Sequence, residues 1–231
     1  MHVLLRWLKR AVLAVIALVL GYQLWLFGWV LWWSWANPDM TRFMEIRLAE
    51  LRLKDPKAQL KKQWVDYARI SPNLKRAIIA AEDAKFVDHE GFDWEGIQKA
   101  IEKNQRRGKV VAGGSTISQQ LAKNLFLSPA KTPWRKAEEA VITLMIEATW
   151  DKRRIFEVYL NVIEWGNGVF GAEAAARHYY GISAAQLGSD QAARLAGMVP
   201  NPRFYDRNRG APGLGRKAAI IQVRMPAAEI P

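Results

Sequence analysis

From Ala11 to Pro38 the chain runs for 28 residues without a charge, and nearly all of them are apolar. A helix of about 20 such residues crosses the hydrocarbon core of a bilayer, so this stretch constrains the architecture more than any other. Arg6, Lys9 and Arg10 precede it, whereas Asp39, Arg42, Glu45 and Arg47 follow with mixed sign. The positive-inside rule then places the N-terminus in the cytoplasm and the bulk of the chain outside. Trp25, Trp29, Trp32, Trp33 and Trp35 crowd the distal end, as an interfacial aromatic belt does. Ser34-Trp35-Ala36 loosely matches a small-x-small cleavage site, but the apolar run is about twice a signal-peptide core, which favours an uncleaved anchor. The expected division is a cytoplasmic segment 1–10, an anchor over 11–36 and one extracytoplasmic domain over 37–231.

Outside the membrane, 31 Lys and Arg face 22 Asp and Glu. Eight of those cations fall between Lys103 and Ala137, a stretch without one acidic residue: Lys103, Arg106, Arg107, Lys109, Lys123, Lys131, Arg135 and Lys136. Such a field draws phosphates or an anionic membrane surface, although a charge run alone is most often a solvated face. Nucleic acid, which a pI near 10.0 would suggest, is not a partner for a domain outside the cytoplasm. Cysteine is absent, so thiol chemistry and disulfides are excluded. His2, His89 and His178 have no zinc-ligand spacing, and no metal ligand set is read from the sequence.

The patterning is helical and strand signals are scarce, which predicts a mostly α domain. Ser71-Pro72 opens a helix, and further helices are expected over Trp94 to Asn104, Trp134 to Trp150, Asp151 to Glu164, Gly171 to Tyr180 and Ser189 to Met198. Thr41 to Leu53 and Gln63 to Tyr67 read as juxtamembrane helix and connector. In the Trp134 helix, Ala137, Val141, Leu144, Met145 and Ala148 share one side. The tail from Arg207, rich in Gly, Pro and Arg, is expected to hold little order, with Ala218 to Met225 able to pack back on the core.

The segment GGSTISQQLAKNL, Gly113 to Leu125, carries the clearest local chemistry. Thr116 and Gln119 have capping-box spacing, which starts a helix there and predicts exposed N–H groups at its N-terminus. On that helix Thr116, Gln120 and Lys123 share a face, and Ile117, Leu121 and Leu125 share another. Glu82 and Glu139 flank this segment in sequence. If the helix from Pro72 persists, Glu82, Phe86 and His89 align on it, and a half-desolvated carboxylate beside an aromatic is a general-base candidate. The plainer reading pairs Glu82 and Asp83 with Lys85 at the surface. Glu139 follows Arg135 by four residues and Lys136 by three, so cations and carboxylate share one face, as in an ordinary surface ion pair.

Five strings, EDAKFVDHEGFD, GGSTISQQLAKNL, RKAEE, KRRIFEVYLNVIEWGNGVFGAEAAARHYYG and LAGMVPNP, stand in the order found in peptidoglycan glycosyltransferases and cover about residues 70 to 205. The chain resembles the monofunctional biosynthetic members of that family, which lack a transpeptidase domain. The resemblance implies a lysozyme-like, two-lobed helical fold with a cleft open toward the membrane. It implies polymerisation of lipid II onto a growing lipid-linked glycan strand, by inverting transfer to a β-1,4 bond with release of undecaprenyl pyrophosphate. By position in the motifs, Glu82 matches the catalytic base and Glu139 the second essential glutamate. Ser115, Thr116, Gln120 and Lys123, with Lys131, Arg135 and Lys136, match the groups that bind donor sugar and pyrophosphate. Asp83, Phe86, His89, Gly91 and Asn161 match residues that shape the cleft. Ser118 stands where Thr is frequent and keeps the hydroxyl; Lys131 stands where Arg is also found and loses bidentate phosphate recognition.

The resemblance further implies an inner-membrane enzyme, membrane contact by apolar residues near the cleft (Phe126, Leu127 and Trp134), and cell-wall synthesis or division proteins as partners. No cofactor is demanded, although Glu82, Asp83 and Glu139 are compatible with a divalent cation, Mg or Mn, on the pyrophosphate. A lytic transglycosylase or lysozyme-like hydrolase, or a non-catalytic anchored scaffold, are the alternatives. The acid-free basic stretch argues against the hydrolase, which needs no pyrophosphate site.

Overall fold

The computed structural model describes residues 2–109, 113–130 and 132–231 and divides into two units, Met1–Asn37 and Pro38–Pro231. The first unit is one helix, α1 (His2–Trp33), and its span Leu4–Trp33 is long and apolar enough to cross a membrane. It begins before the expected anchor because Arg6, Lys9 and Arg10 are good helix formers and nothing before Ala11 breaks the turn. The indoles of Trp29 and Trp33, one turn apart, lie 5.2 Å centroid to centroid.

The second unit is mostly helical: α2 (Arg42–Arg52), α3 (Pro72–Glu82), α4 (Trp94–Arg107), α5 (Ile117–Phe126), α6 (Pro133–Thr149), α7 (Lys152–Val162), α8 (Ala172–Tyr180), α9 (Ser189–Met198), α10 (Pro202–Arg207) and α11 (Pro212–Arg224). Local chemistry accounts for where these helices start. Thr41, Ser71, Asp93, Thr116, Thr132 and Asp151 each accept a first-turn N–H with the side chain, and Pro72, Pro133, Pro202 and Pro212 occupy first-turn positions that need no donor.

α5 is the hub, packing against α2, α6 and α7, while α9 joins α3 to α11. Its Ile117, Leu121 and Leu125 are fully buried as the spacing predicts, each stabilising by about 1.5–3 kcal/mol. They share the interior with Ile155, Phe156, Tyr159 and Leu160 of α7, and Leu74 and Ile78 of α3 are equally buried.

Three features depart from expectation. A small sheet forms from β1 (Lys61–Lys62), β2 (Glu164–Gly166) and β3 (Val169–Phe170), with β3 central, parallel to β1 and antiparallel to β2. Strands of two or three residues are too short to print an alternating pattern. The tail is ordered: α11 buries Leu214, Ala218 and Ile221, because packing on α9 overrides the cost of Gly213 and Gly215. On α6 the stripe of Ala137, Val141, Leu144 and Ala148 faces outward, whereas Ile142, Thr143 and Ile146 face the core.

Candidate active site

Glu82 is the last residue of α3, and Asp83 leaves the helix with an extended φ of −162°. Phe86 and His89 therefore reach their places through turns, rather than along a continued helix face. Phe86 is fully buried against Phe156, 5.5 Å between ring centroids, and supports the site from below rather than lining it. Lys85 pairs with Glu95 and not with the Glu82-Asp83 pair.

The buried Asp83 carboxylate organises the region. It accepts from the backbone N–H of Ile117 at 2.9 Å and from His89 Nε2 at 3.0 and 3.1 Å. His89 Nδ1 in turn accepts from the Gly91 N–H at 3.1 Å, which sets the tautomer with the proton on Nε2. The N-terminus of α5, expected to be open for a phosphate, is thus filled by the protein's own anion. Thr116 closes the same end: its Oγ1 accepts from the Gln119 N–H and donates to the Gly91 carbonyl at 2.7 Å, and Gln119 completes the capping box. With 2% exposure the Thr116 hydroxyl serves the helix cap and does not share the polar face of Gln120 and Lys123.

Two glycines permit this close assembly. Gly91 has φ +89°, and a Cβ there would stand 2.9 Å from Thr143 Cγ2. A Cβ on Gly114 would stand 3.0 Å from the Cα of Ile97, so the loop lies directly on α4.

The cationic end lies further along α5. Gln120 Nε2 donates to Glu82 Oε2 at 2.8 Å, and one turn on, Lys123 makes no ion pair among the described residues. Glu139, 3% exposed, holds Arg135 at 2.5 Å and also pairs with Lys136, whose Nζ lies 3.3 Å from Ser115 Oγ. Burial raises the Glu82 pKa, and nearby Asp83 adds to that, while Gln120, Lys123 and Lys217 oppose it. Burial lowers that of Lys123; Arg135 and Lys136 push the same way, and Glu139 and Glu82 oppose them.

Two cavities flank this arrangement. One, about 110 Å³, is lined by Glu82, Asp83, Asp93, Ser115 and Thr116 with the glycines of the α4–α5 loop. The other, about 370 Å³, is lined by Gln120, Lys123, Asn124 and Arg135, and by Phe43, Arg47 and Glu164 on its other walls. Arg47 and Glu164, paired at 3.2 Å, and Tyr159, whose hydroxyl donates to Gln120 Oε1 at 2.9 Å, were not among the expected site residues. Arg47 and Glu164 are 117 residues apart in sequence, and no local spacing could have joined them.

Of the expected set, Glu82, Asp83, His89, Gly91, Ser115, Thr116, Gln120, Lys123, Arg135, Lys136 and Glu139 thus form one contiguous network of contacts and cavity walls. Asn161 lies apart from it, clamping the backbone of Val65 through both N–H and C=O at 2.9 Å each. Lys131 lies outside the described residues. Among the described residues no group of three His, Asp or Glu side chains is placed to hold a metal ion.

Residues 49–226 match the sequence model of a family described as transglycosylase. The chain is 76% identical over 231 residues to the biosynthetic peptidoglycan transglycosylase of Dechloromonas aromatica (strain RCB), covering all of both chains. It is 64% identical over 228 residues to the protein of that name from Laribacter hongkongensis (strain HLHK9), covering 99% of this chain and 100% of the relative. The Methylobacillus flagellatus relative of the same name is 66% identical over 222 residues, 96% of this chain and 97% of its own.

Proposed function

The chain belongs to the transglycosylase family, and from that premise we propose that the paired cavities beside Glu82 polymerise lipid II into β-1,4-linked glycan strands of peptidoglycan. Gln120 is the observation that carries the reading. A single side chain hydrogen-bonds the candidate base and lines the cation-bearing cavity, so proton removal and leaving-group stabilisation are adjacent.

In this scheme the Glu82 carboxylate takes the proton of the acceptor sugar's 4-hydroxyl as its oxygen bonds to the donor's anomeric carbon. The bond from that carbon to the pyrophosphate oxygen breaks with inversion, and its electron pair leaves on undecaprenyl pyrophosphate. A carboxylate with a raised pKa is a stronger base near neutral pH, and such general-base assistance is typically worth about 10²–10⁴ in rate. Lys123 and Arg135 face the departing charge, with Lys136 and Lys131 assigned to it by motif position; in a half-desolvated pocket their attraction exceeds its value in water. Glu139 holds Arg135 and Lys136 in place. The acidic side cavity suits a neutral sugar hydroxyl better than a phosphate. The scheme requires no cofactor.

Both substrates are lipid-tethered, which gives α1 its role as a single inner-membrane anchor with a cytoplasmic N-terminus and an extracytoplasmic domain. The outward stripe of α6, headed by Trp134 at 79% exposure, is suited to the acyl boundary of the same leaflet. Of the other two residues expected there, Leu127 is buried in the core and Phe126 is half-buried.

Incubating the full chain with lipid II in vesicles tests the reading: long glycan product is expected. Cleavage of preformed glycan without polymer would overturn it in favour of a hydrolase.

A further inference from the structure

Tyr159 lies on α7, fully buried, two residues before Asn161, and itself lines neither cavity. Its aromatic ring belongs to the core, stacked on Phe156 at 6.4 Å. Its hydroxyl does not, because it ends 2.9 Å from Gln120 Oε1. The other end of that amide donates to Glu82 Oε2 at 2.8 Å. Three side chains from α7, α5 and α3 therefore form one directed chain, Tyr159 to Gln120 to Glu82.

The direction follows from donor and acceptor chemistry. An ionised carboxylate only accepts, so the NH₂ end of Gln120 must face Glu82. That leaves the amide oxygen toward α7, where a phenol is able to donate. Burial, with Glu82 and Asp83 acting in the same sense, pushes the Tyr159 pKa far upward, so the phenol keeps its proton over any working pH. An amide with no partner at its oxygen is held at one end only, and in the reversed orientation its oxygen would oppose the carboxylate. Burying a hydroxyl costs free energy unless it is bonded, and Gln120 Oε1 supplies that bond; phenylalanine here would leave the amide oxygen without its donor.

We propose that Tyr159 is a positioning residue, whose hydroxyl holds the Gln120 amide in the orientation that keeps Glu82 ionised and aimed. This rests on Glu82 being the base of the proposed transfer. Glu82 is also faced by Lys123 from α5, Lys217 from α11 and Asp83 beside it, none of which changes when only the phenol oxygen is removed.

The test is Tyr159→Phe in the full-length protein, with two readouts. The first is the pH profile of kcat and kcat/KM on lipid II. The second is the titration of Glu82 by carbon-13 NMR of side-chain carboxyls, the resonance assigned by its loss in Glu82→Gln. With the donated hydrogen bond lost, the ionised form is less favoured. The acidic limb and the NMR midpoint both move to higher pH, and kcat at neutral pH falls about tenfold with KM changed less than about twofold. In a Gln120→Met background, which removes the partner left unsatisfied, Tyr159→Phe moves the midpoint no further. An unchanged midpoint in the single variant, or the same shift in the Gln120→Met background, would overturn the proposal. A moved midpoint with an unmoved acidic limb supports the positioning of Glu82 while removing Glu82 as the base.

Discussion

The Asp83 carboxylate occupies the N-terminus of α5 through the Ile117 amide, so the anion that this helix end attracts is built into the chain. Asp83 adjoins Glu82, and the contact ties the C-terminus of α3 to the start of the helix that carries Gln120 and Lys123. Asp83→Asn retains an acceptor for Ile117 but turns an NH₂ toward the Nε2–H of His89. A loss of about 2 kcal/mol in urea unfolding is expected, with a fall in lipid II polymerisation exceeding that caused by the stability change. Unchanged stability would show that the helix end does not depend on the charge.

Glu82→Gln should separate activity from stability. Polymerisation falls by orders of magnitude, because no base remains, while the melting temperature is maintained or rises. The sign follows from the raised pKa: the unfolded chain ionises Glu82 near the ordinary 4.5, and the folded chain only at higher pH. Holding the ionised form in the fold therefore costs stability above the folded pKa, and that cost disappears as pH falls below the unfolded value. The thermal advantage of Glu82→Gln over the parent should be largest at neutral pH and vanish toward pH 4. An advantage that grew on acidification would contradict the assignment of the shift to burial.

What was legible in the chain was what neighbouring residues decide. Thr116 and Gln119 announce their capping box by spacing alone, and Ile117, Leu121 and Leu125 announce the buried face. The destination of each polar group was not legible. The α5 N-terminus looks open in sequence, because the carboxylate that fills it comes from Asp83, 34 residues earlier. Helical period likewise marks Ala137, Val141 and Leu144 as a stripe without saying what covers it; on α6, Ile142 and Ile146 form a second apolar face, and packing on α5 selects that one. The motif strings locate Tyr159 but not its partner, since Gln120 lies 39 residues away.

Arg47→Met should destabilise the fold by about 3 kcal/mol, although Arg47 precedes the family-matched segment. Its guanidinium pairs with Glu164 at 3.2 Å and Glu50 at 2.8 Å and packs on Phe43, tying α2 to β2 beside the cation-bearing cavity. Glu164 is buried, and burial already raises its pKa against the pull of Arg47 and Arg203. Without Arg47 the buried carboxylate loses its ion-pair partner and keeps only the more distant pull of Arg203. Adding Glu164→Gln should recover most of the loss in urea unfolding, and purely additive effects would show that the pair is not coupled.

The outward face of α6 should report lipid when the full chain is reconstituted. The sequence contains no cysteine, so Leu144→Cys gives a single attachment point for an environment-sensitive fluorophore without disturbing a native thiol. Leu144 is exposed and shares the stripe with Val141 and Trp134, apolar area that the second unit leaves uncovered. With each labelled full chain in vesicles, the dye at 144 should emit to the blue of a dye at Asp190, which is exposed at the start of α9. Adding anionic lipid should strengthen the shift, since Arg135 and Lys136 lie at the Trp134 end of the stripe, and high salt should reduce only that increment. Equal emission from positions 144 and 190 in vesicles would mean that α6 faces water and that α1 alone holds the enzyme at its substrate.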